Sequence, residues 1–155
     1  MSWEILSVAS SAACEARAME DGGTFTHVMQ VEGVATPKGY SHAVITTRAV
    51  LVTISGQVAL DASGAFVGVD DFDAQVDQAF ANLVAVLAAA GCSPADVVKL
   101  THFIVGLDAS RLASVRSVRD RIFPGAKPSS SLLGVSALFA PQALYEVEAI
   151  AARSV

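Results

Sequence analysis

Between Asp70 and Ala90 the apolar side chains Phe72, Val76, Ala79, Phe80, Leu83, Val84 and Leu87 recur at helical spacing, and nothing else in the chain constrains its fold as tightly. A helix is predicted there. Asp70, Asp71, Asp73 and Asp77 crowd its first turns, where carboxylates favour the positive end of the helix dipole, and Gly91 supplies the stop. A second helix is read from Ala109 to Phe123, with Leu112, Val115, Val118 and Ile122 turned inward and Arg111, Arg116, Arg119 and Arg121 mostly outward; Pro124-Gly125 ends it. Around the helices lie runs rich in Val, Ile, Leu and Thr: Phe25 to Val31, Ser41 to Thr47, Val50 to Ser55, Val97 to Val105, Leu132 to Leu138 and Leu144 to Ala151. That order predicts an α+β fold, one mixed β-sheet with two main helices on one face.

Two helices leave much of such a sheet uncovered, and the composition says the uncovered part is apolar. Of the 155 residues 53% are hydrophobic and 16% charged, against about 25% charged in ordinary soluble domains. A second copy of the chain is the expected cover, which predicts a closed homo-oligomer. The 10 basic and 15 acidic residues leave a net charge of −5, which argues against nucleic acid as a partner. No apolar run approaches the ~20 residues of a membrane span. The start of the chain carries Glu4 where a secretory peptide would be basic, so the expected compartment is cytoplasmic. In that reducing setting Cys14 and Cys92 read as free thiols, and no Cys-x-x-Cys or His-x-Cys pairing offers a metal its ligands. An Ala/Ser-rich stretch from Ser7 to Ala18 precedes the first strand, as an extra helix or a frayed lead-in.

Three blocks then coincide in order and spacing: Gly39-Tyr40-Ser41-His42-Ala43, Ser55-Gly56-Gln57, and Gln78-Ala79-Phe80-Ala81-Asn82-Leu83 running into Ala89-Ala90-Gly91-Cys92-Ser93-Pro94-Ala95-Asp96-Val97-Val98-Lys99. Together with the closing Tyr145-Glu146-Val147-Glu148-Ala149-Ile150-Ala151, they resemble the Rid (YjgF-like) family from about Pro37 to Arg153. The resemblance implies a chorismate-mutase-like single domain over residues 37–155, with residues 1–36 as an N-terminal extension packed on it. It also implies a homotrimer with small-molecule clefts between subunits and neither metal nor organic cofactor. The best-known members hydrolyse reactive enamines and imines, such as 2-aminoacrylate, to keto acids and ammonia.

The same resemblance assigns candidate roles. Deaminating members grip the substrate carboxylate with an arginine in a Pro-Ala-Arg-Ser block; here the block is Pro128-Ser129-Ser130-Ser131, with Ser130 in the arginine's place. One neutral hydroxyl replaces a charge-assisted, two-pronged donor, forfeiting roughly 1.5–3 kcal/mol of anchoring. Arg116, on the second helix near where the family often has a polar cleft residue, is a candidate to supply the missing cation. Glu146 aligns with the strand glutamate that orders water or moves protons in deaminating relatives, and a half-buried carboxylate can have its pKa raised toward working pH. Glu148 points to the same sheet face. Tyr40 aligns with a tyrosine that borders the cleft, and Ser55 belongs to the strand-end Ser-Gly-Gln block, giving two further substrate-binding candidates.

His27, His42 and His102 carry no spacing that points to a catalytic triad, and His102, inside a strand run, reads as a hydrogen-bonded core or interface residue. The function expected is hydrolysis of an enamine or imine in an intersubunit cleft with Glu146 activating water. The alternatives are a tautomerisation, cyclisation or condensation in the same cleft, and a non-catalytic trimer that binds a metabolite or a protein.

Overall fold

The computed structural model describes residues 18–20, 25–31, 33–46, 48–125 and 127–154. The chain order is β1 (Ala18–Glu20), β2 (Phe25–Val28), β3 (Ala43–Thr46), β4 (Ala49–Val58), α1 (Phe72–Ala89), β5 (Val97–Val105), α2 (Ala109–Ile122), β6 (Ser129–Val135) and β7 (Tyr145–Ser154). The α+β class and the two helices agree with the sequence pattern. The strands, however, divide into two sheets. A mixed four-stranded sheet has the order β4-β7-β5-β6, and β1-β2-β3 form their own antiparallel sheet. The Ala/Ser-rich stretch lies outside the described residues apart from Ala18, as does Cys14.

Local chemistry sets the helix ends. Asp71 caps α1 by accepting from the Ala74 amide at 3.1 Å, and Asp108 caps α2 by accepting from the Arg111 amide at 2.8 Å. Val76, Ala79, Phe80, Leu83 and Leu87 of α1 are fully buried against the sheet, the face the periodicity predicted. The alternation along β5 is equally plain. Leu100, His102 and Ile104 are buried toward the helices, while Lys99, Thr101 and Phe103 occupy the opposite, open face. On β7, Tyr145, Val147, Ala149 and Ala151 join the core. Glu146 and Glu148 therefore stand on the open face, since β7 pairs with β5 through Phe103↔Glu146 and Thr101↔Glu148.

Several strand ends shift by a few residues from expectation, most of all the start of β6, and one helix side chain turns the other way. β6 begins at Ser129 rather than Leu132, because Pro128 leads straight into parallel pairing with β5, Lys99↔Ser129 through Val105↔Val135. Three serines of low strand preference are carried by that ladder and by side-chain bonds such as Ser129 Oγ to the Val98 carbonyl, 2.9 Å. Arg119, expected outward, is instead 3% exposed, and with Val115 and Val118 it forms the buried stripe of α2. Its Nε and Nη2 both donate to Asp120 Oδ1, at 3.2 and 2.9 Å. Gly39, at φ +78°, passes so close that an added Cβ would lie 2.2 Å from Arg119 Nη2. The glycine of the Gly39-Tyr40 block thus lets the loop lie on the guanidinium.

Candidate functional site

The candidate residues gather at two places on the four-stranded sheet. The first is the open face near the β4–β7 bulge. The β4–β7 register shifts between Ile54 and Gln57, so that Ser55 and Gly56 together face Glu148, while Glu146 pairs with Val58 and its side chain reaches back over Gly56. A Cβ on Gly56 would fall 1.7 Å from Glu146 Oε1, so the carboxylate occupies the space that any other residue's side chain would need. This is the local reason for glycine in the Ser55-Gly56-Gln57 block. Ser55 is exposed beside it, and its carbonyl accepts from the Gln57 side chain at 3.0 Å.

Glu146 is half-buried in this position, and its pKa is raised above the ordinary carboxylate value, first by desolvation and then by the nearby charge of Glu148. Glu148, one pleat further along β7, lines a shallow cavity of about 220 Å³ with Thr53, Lys99, Thr101 and Ile150. Lys99 Nζ donates to Ser131 Oγ at 2.6 Å across the same face.

The second place is the β6 edge. The loop carrying Tyr40 is joined to the start of β6 by an isolated bridge, Ser41↔Ser129, and by the Ser41 amide donating to the Pro128 carbonyl at 3.3 Å. Buried Ser41 also donates to the Lys127 carbonyl, and the His27 ring stands 3.0 Å from its hydroxyl. Tyr40 is half-buried and meets the His42 ring edge-on, centroids 6.1 Å apart. The fold thus brings Tyr40 and Ser130 to one edge.

Ser130 itself turns toward the helices. Its Oγ lies 3.1 Å from His102 Nε2, and His102 Nδ1 lies 2.7 Å from the Tyr145 hydroxyl. His102 and Tyr145 are wholly buried, with Phe80 packed on both rings. Burial, reinforced by Arg119 and Lys99, pushes the His102 pKa down to about 3, so the ring is neutral; burial likewise holds the Tyr145 hydroxyl protonated. Sequence reasoning placed His102 as a hydrogen-bonded core residue and left Tyr145 unremarked. No local motif joins the two, since they meet only through the β5–β7 register.

Glu146 and Ser130 are therefore separated. They sit on opposite faces of the sheet, two strands and three residues apart, about 14 Å at strand spacing. Arg116 is exposed on α2 and joins neither group. Among the described residues no group of His, Cys, Asp or Glu is placed to hold a metal ion, and no helix is long and apolar enough to cross a membrane.

Comparisons with known proteins give this geometry its context. Residues 31–153 match the family model described as Endoribonuclease L-PSP. A crystal structure from Yersinia pestis, of a protein of unknown function in the conserved Rid family, is 42% identical with a TM-score of 0.70 and covers 73% of this chain and 86% of that one. Among named proteins, DfrA of Myxococcus xanthus is 37% identical over 64% of this chain and 74% of its own. The 2-iminobutanoate/2-iminopropanoate deaminase of Rattus norvegicus is 33% identical over 72% of this chain and 78% of its own. Match, fold and motif order agree: the chain belongs to the Endoribonuclease L-PSP family, the Rid (YjgF-like) proteins, and has their chorismate-mutase-like fold.

Proposed function

We propose that the protein is a divergent Rid-family hydrolase that deaminates an enamine or imine intermediate in a cleft shared between subunits of a homotrimer, with Glu146 handling the water. The observation that carries this reading is the seating of Glu146. A half-buried carboxylate, fixed over a glycine and with its pKa raised by desolvation, is a better acceptor for a proton from water than an ordinary surface carboxylate and can return that proton. The names of the rat and mouse relatives, both imine deaminases, support the same class.

The steps balance without a cofactor. Water attacks the C=N carbon as Glu146 accepts its proton, forming the C–O bond and placing the π electrons on nitrogen. Glu146 returns that proton to the nitrogen, giving a neutral carbinolamine; it then takes the hydroxyl proton and passes it to the same nitrogen as the C–N bond breaks, so that the oxygen closes to a carbonyl and neutral ammonia leaves. For an enamine, protonation of carbon to the imine comes first.

The separation of Glu146 and Ser130 supports the intersubunit part. One small substrate cannot span about 14 Å and pass through a sheet, so a cleft that uses both takes them from neighbouring copies. Tyr40 borders the Ser130 side and Ser55 the Glu146 side, as substrate-binding residues. The exposed Arg116 is a further binding candidate only where a neighbour approaches α2. Residues 1–36 act as an extension of the domain, a reading supported by β2 pairing with β3 through Phe25↔Thr46 to Val28↔Ala43.

The test is ammonia release from freshly generated 2-aminoacrylate, 2-iminobutanoate and aminomuconate, run beside Glu146→Gln. Release by the parent protein and its loss in the variant is the expected result. Undiminished release by the variant removes the mechanism.

A further inference from the structure

Ser130 ends a line of hydrogen bonds whose direction the burial of Tyr145 fixes. The Tyr145 phenol is wholly buried, and a buried hydroxyl proton left without an acceptor is strongly destabilising. Among the described residues the one acceptor within reach is His102 Nδ1, at 2.7 Å. The phenol therefore donates, and Nδ1 presents its lone pair. A neutral imidazole then carries its proton on Nε2, which donates to Ser130 Oγ at 3.1 Å. The Ser130 oxygen is thereby an acceptor toward the core, and its own proton points elsewhere. Ser130 is only partly buried, on the edge strand β6 beside the Tyr40 loop, so that proton is presented outward.

The direction also decides what Ser130 is not. A nucleophilic serine needs a base on its proton, but Nε2 is already protonated. The ring is further held by a phenol, whereas a carboxylate would stabilise an imidazolium, and its pKa near 3 makes it a poor base at neutral pH. What remains is a donor, strengthened because each bond in the line polarises the next. It is neutral and single. The buried cation nearby, Arg119, has its Nε–Nη2 edge turned to Asp120 and is itself 3% exposed, so it is not an open replacement for the missing arginine.

We propose that Tyr145 and His102 are positioning residues that fix the Ser130 hydroxyl as an outward donor, and that this donor recognises the oxygen of a neutral carbonyl group, an amide, ester or ketone, where deaminating relatives bind a carboxylate. The proposal rests on the reading of Ser130 as part of the cleft and names the substrate class of that cleft: an enamine or imine whose anchoring group is uncharged.

Two measurements on the intact protein test it. Long-range proton–nitrogen correlation on uniformly ¹⁵N-labelled protein at neutral pH reads the His102 tautomer. A pyridine-like Nδ1 and a pyrrole-like Nε2 are expected; the reverse assignment overturns the proposal. Titration with pyruvate and with pyruvamide, the acid and its neutral amide as product-like probes, reads the anchor. The amide is expected to bind at least 5-fold more tightly than the acid. Ser130→Ala should remove that preference, and Tyr145→Phe should reduce it 2- to 3-fold while keeping the fold. Preference for the acid, binding of neither probe, or an unchanged preference in Ser130→Ala overturns the proposal. Amide preference without ammonia release from any imine would remove the deaminase reading alone, and ammonia release with acid preference would remove this proposal alone.

Discussion

Glu146 and Gly56 form a lock: the carboxylate oxygen fills the volume in which any side chain at position 56 would have to begin, 1.7 Å from an ideal Cβ. The glycine is required by space and not by backbone conformation, because Gly56 is absent from the residues at positive φ. An alanine there leaves the backbone unstrained and expels the acid. Gly56→Ala should therefore lower ammonia release at least 10-fold while the melting temperature moves by only a few degrees. Adding Glu146→Asp withdraws the carboxylate by about one carbon–carbon bond, ~1.5 Å, and should recover part of the loss. A Gly56→Ala protein with parental turnover would show that the acid's seating does not matter.

The pH dependence of turnover follows from what surrounds that acid. In the proposed mechanism Glu146 acts as a base only when ionised, and desolvation followed by the charge of Glu148 raises its pKa. The acid limb of the kcat/KM profile should lie above the ordinary carboxylate range. Glu148→Gln removes one of the two causes and should move that limb to lower pH, with the plateau nearly unchanged. For stability the sign is the opposite of a salt-bridged acid. The native state holds the Glu146 proton more tightly than the unfolded chain, so this contribution is present below the unfolded pKa and is lost as pH rises through the folded one. Glu146→Gln should consequently gain stability relative to the parent as pH is raised through that window, read by thermal melts at several pH values.

Much of this was legible in the sequence, and what was not has a common cause. The α1 stripe, the extents of both helices and the β5 run depend on neighbours within a few residues, and periodicity reads such neighbours directly. The outward placement of Arg119 failed because α2 buries a guanidinium under the Gly39 loop, a contact between residues 80 positions apart. The start of β6 was missed because Ser129 to Ser131 are poor strand formers recruited by parallel pairing to β5. The contact of the Glu146 carboxylate with Gly56 across the β4–β7 bulge, and of His102 with Tyr145 across β5 and β7, likewise depends on register. The family motifs pointed to Glu146 without showing why its carboxylate needs a glycine beneath it.

His102 predicts acid sensitivity of a specific shape. Its pKa falls from 6.5 to about 3 in the folded chain, chiefly through burial. The unfolded chain takes up a proton below 6.5 that the native protein refuses, so the stability is intact above 6.5 and is lost as pH falls toward 3. Within that window the loss is about 1.4 kcal/mol per pH unit for this group. His102→Val strands the Tyr145 and Ser130 hydroxyls and should be less stable than the parent at pH 7. The gap should narrow steadily between pH 6.5 and 5, measured as unfolding free energy in denaturant. A constant gap would mean that His102 is charged in the native state.

The open face of the sheet gives the last prediction, on assembly. Leu133 pairs with Phe103 on that face and is 41% exposed, while Ile150 on β7 is 37% exposed. Apolar side chains on an uncovered sheet face need a partner, and the separation of Glu146 from Ser130 requires the partner to be another copy if one substrate is to meet both. Light scattering should give three times the 15.9 kDa of the chain. A charge buried at such an interface is strongly unfavourable without an opposite charge, so Leu133→Asp should yield single chains with an intact fold and no ammonia release. Mixing an excess of an inactive Glu146→Gln chain with an inactive Ser130→Pro chain should restore activity, because one interface in the mixed trimer then pairs an intact acid with an intact hydroxyl. Parental turnover by a single-chain species would place the whole site within one copy and break the link between assembly and chemistry.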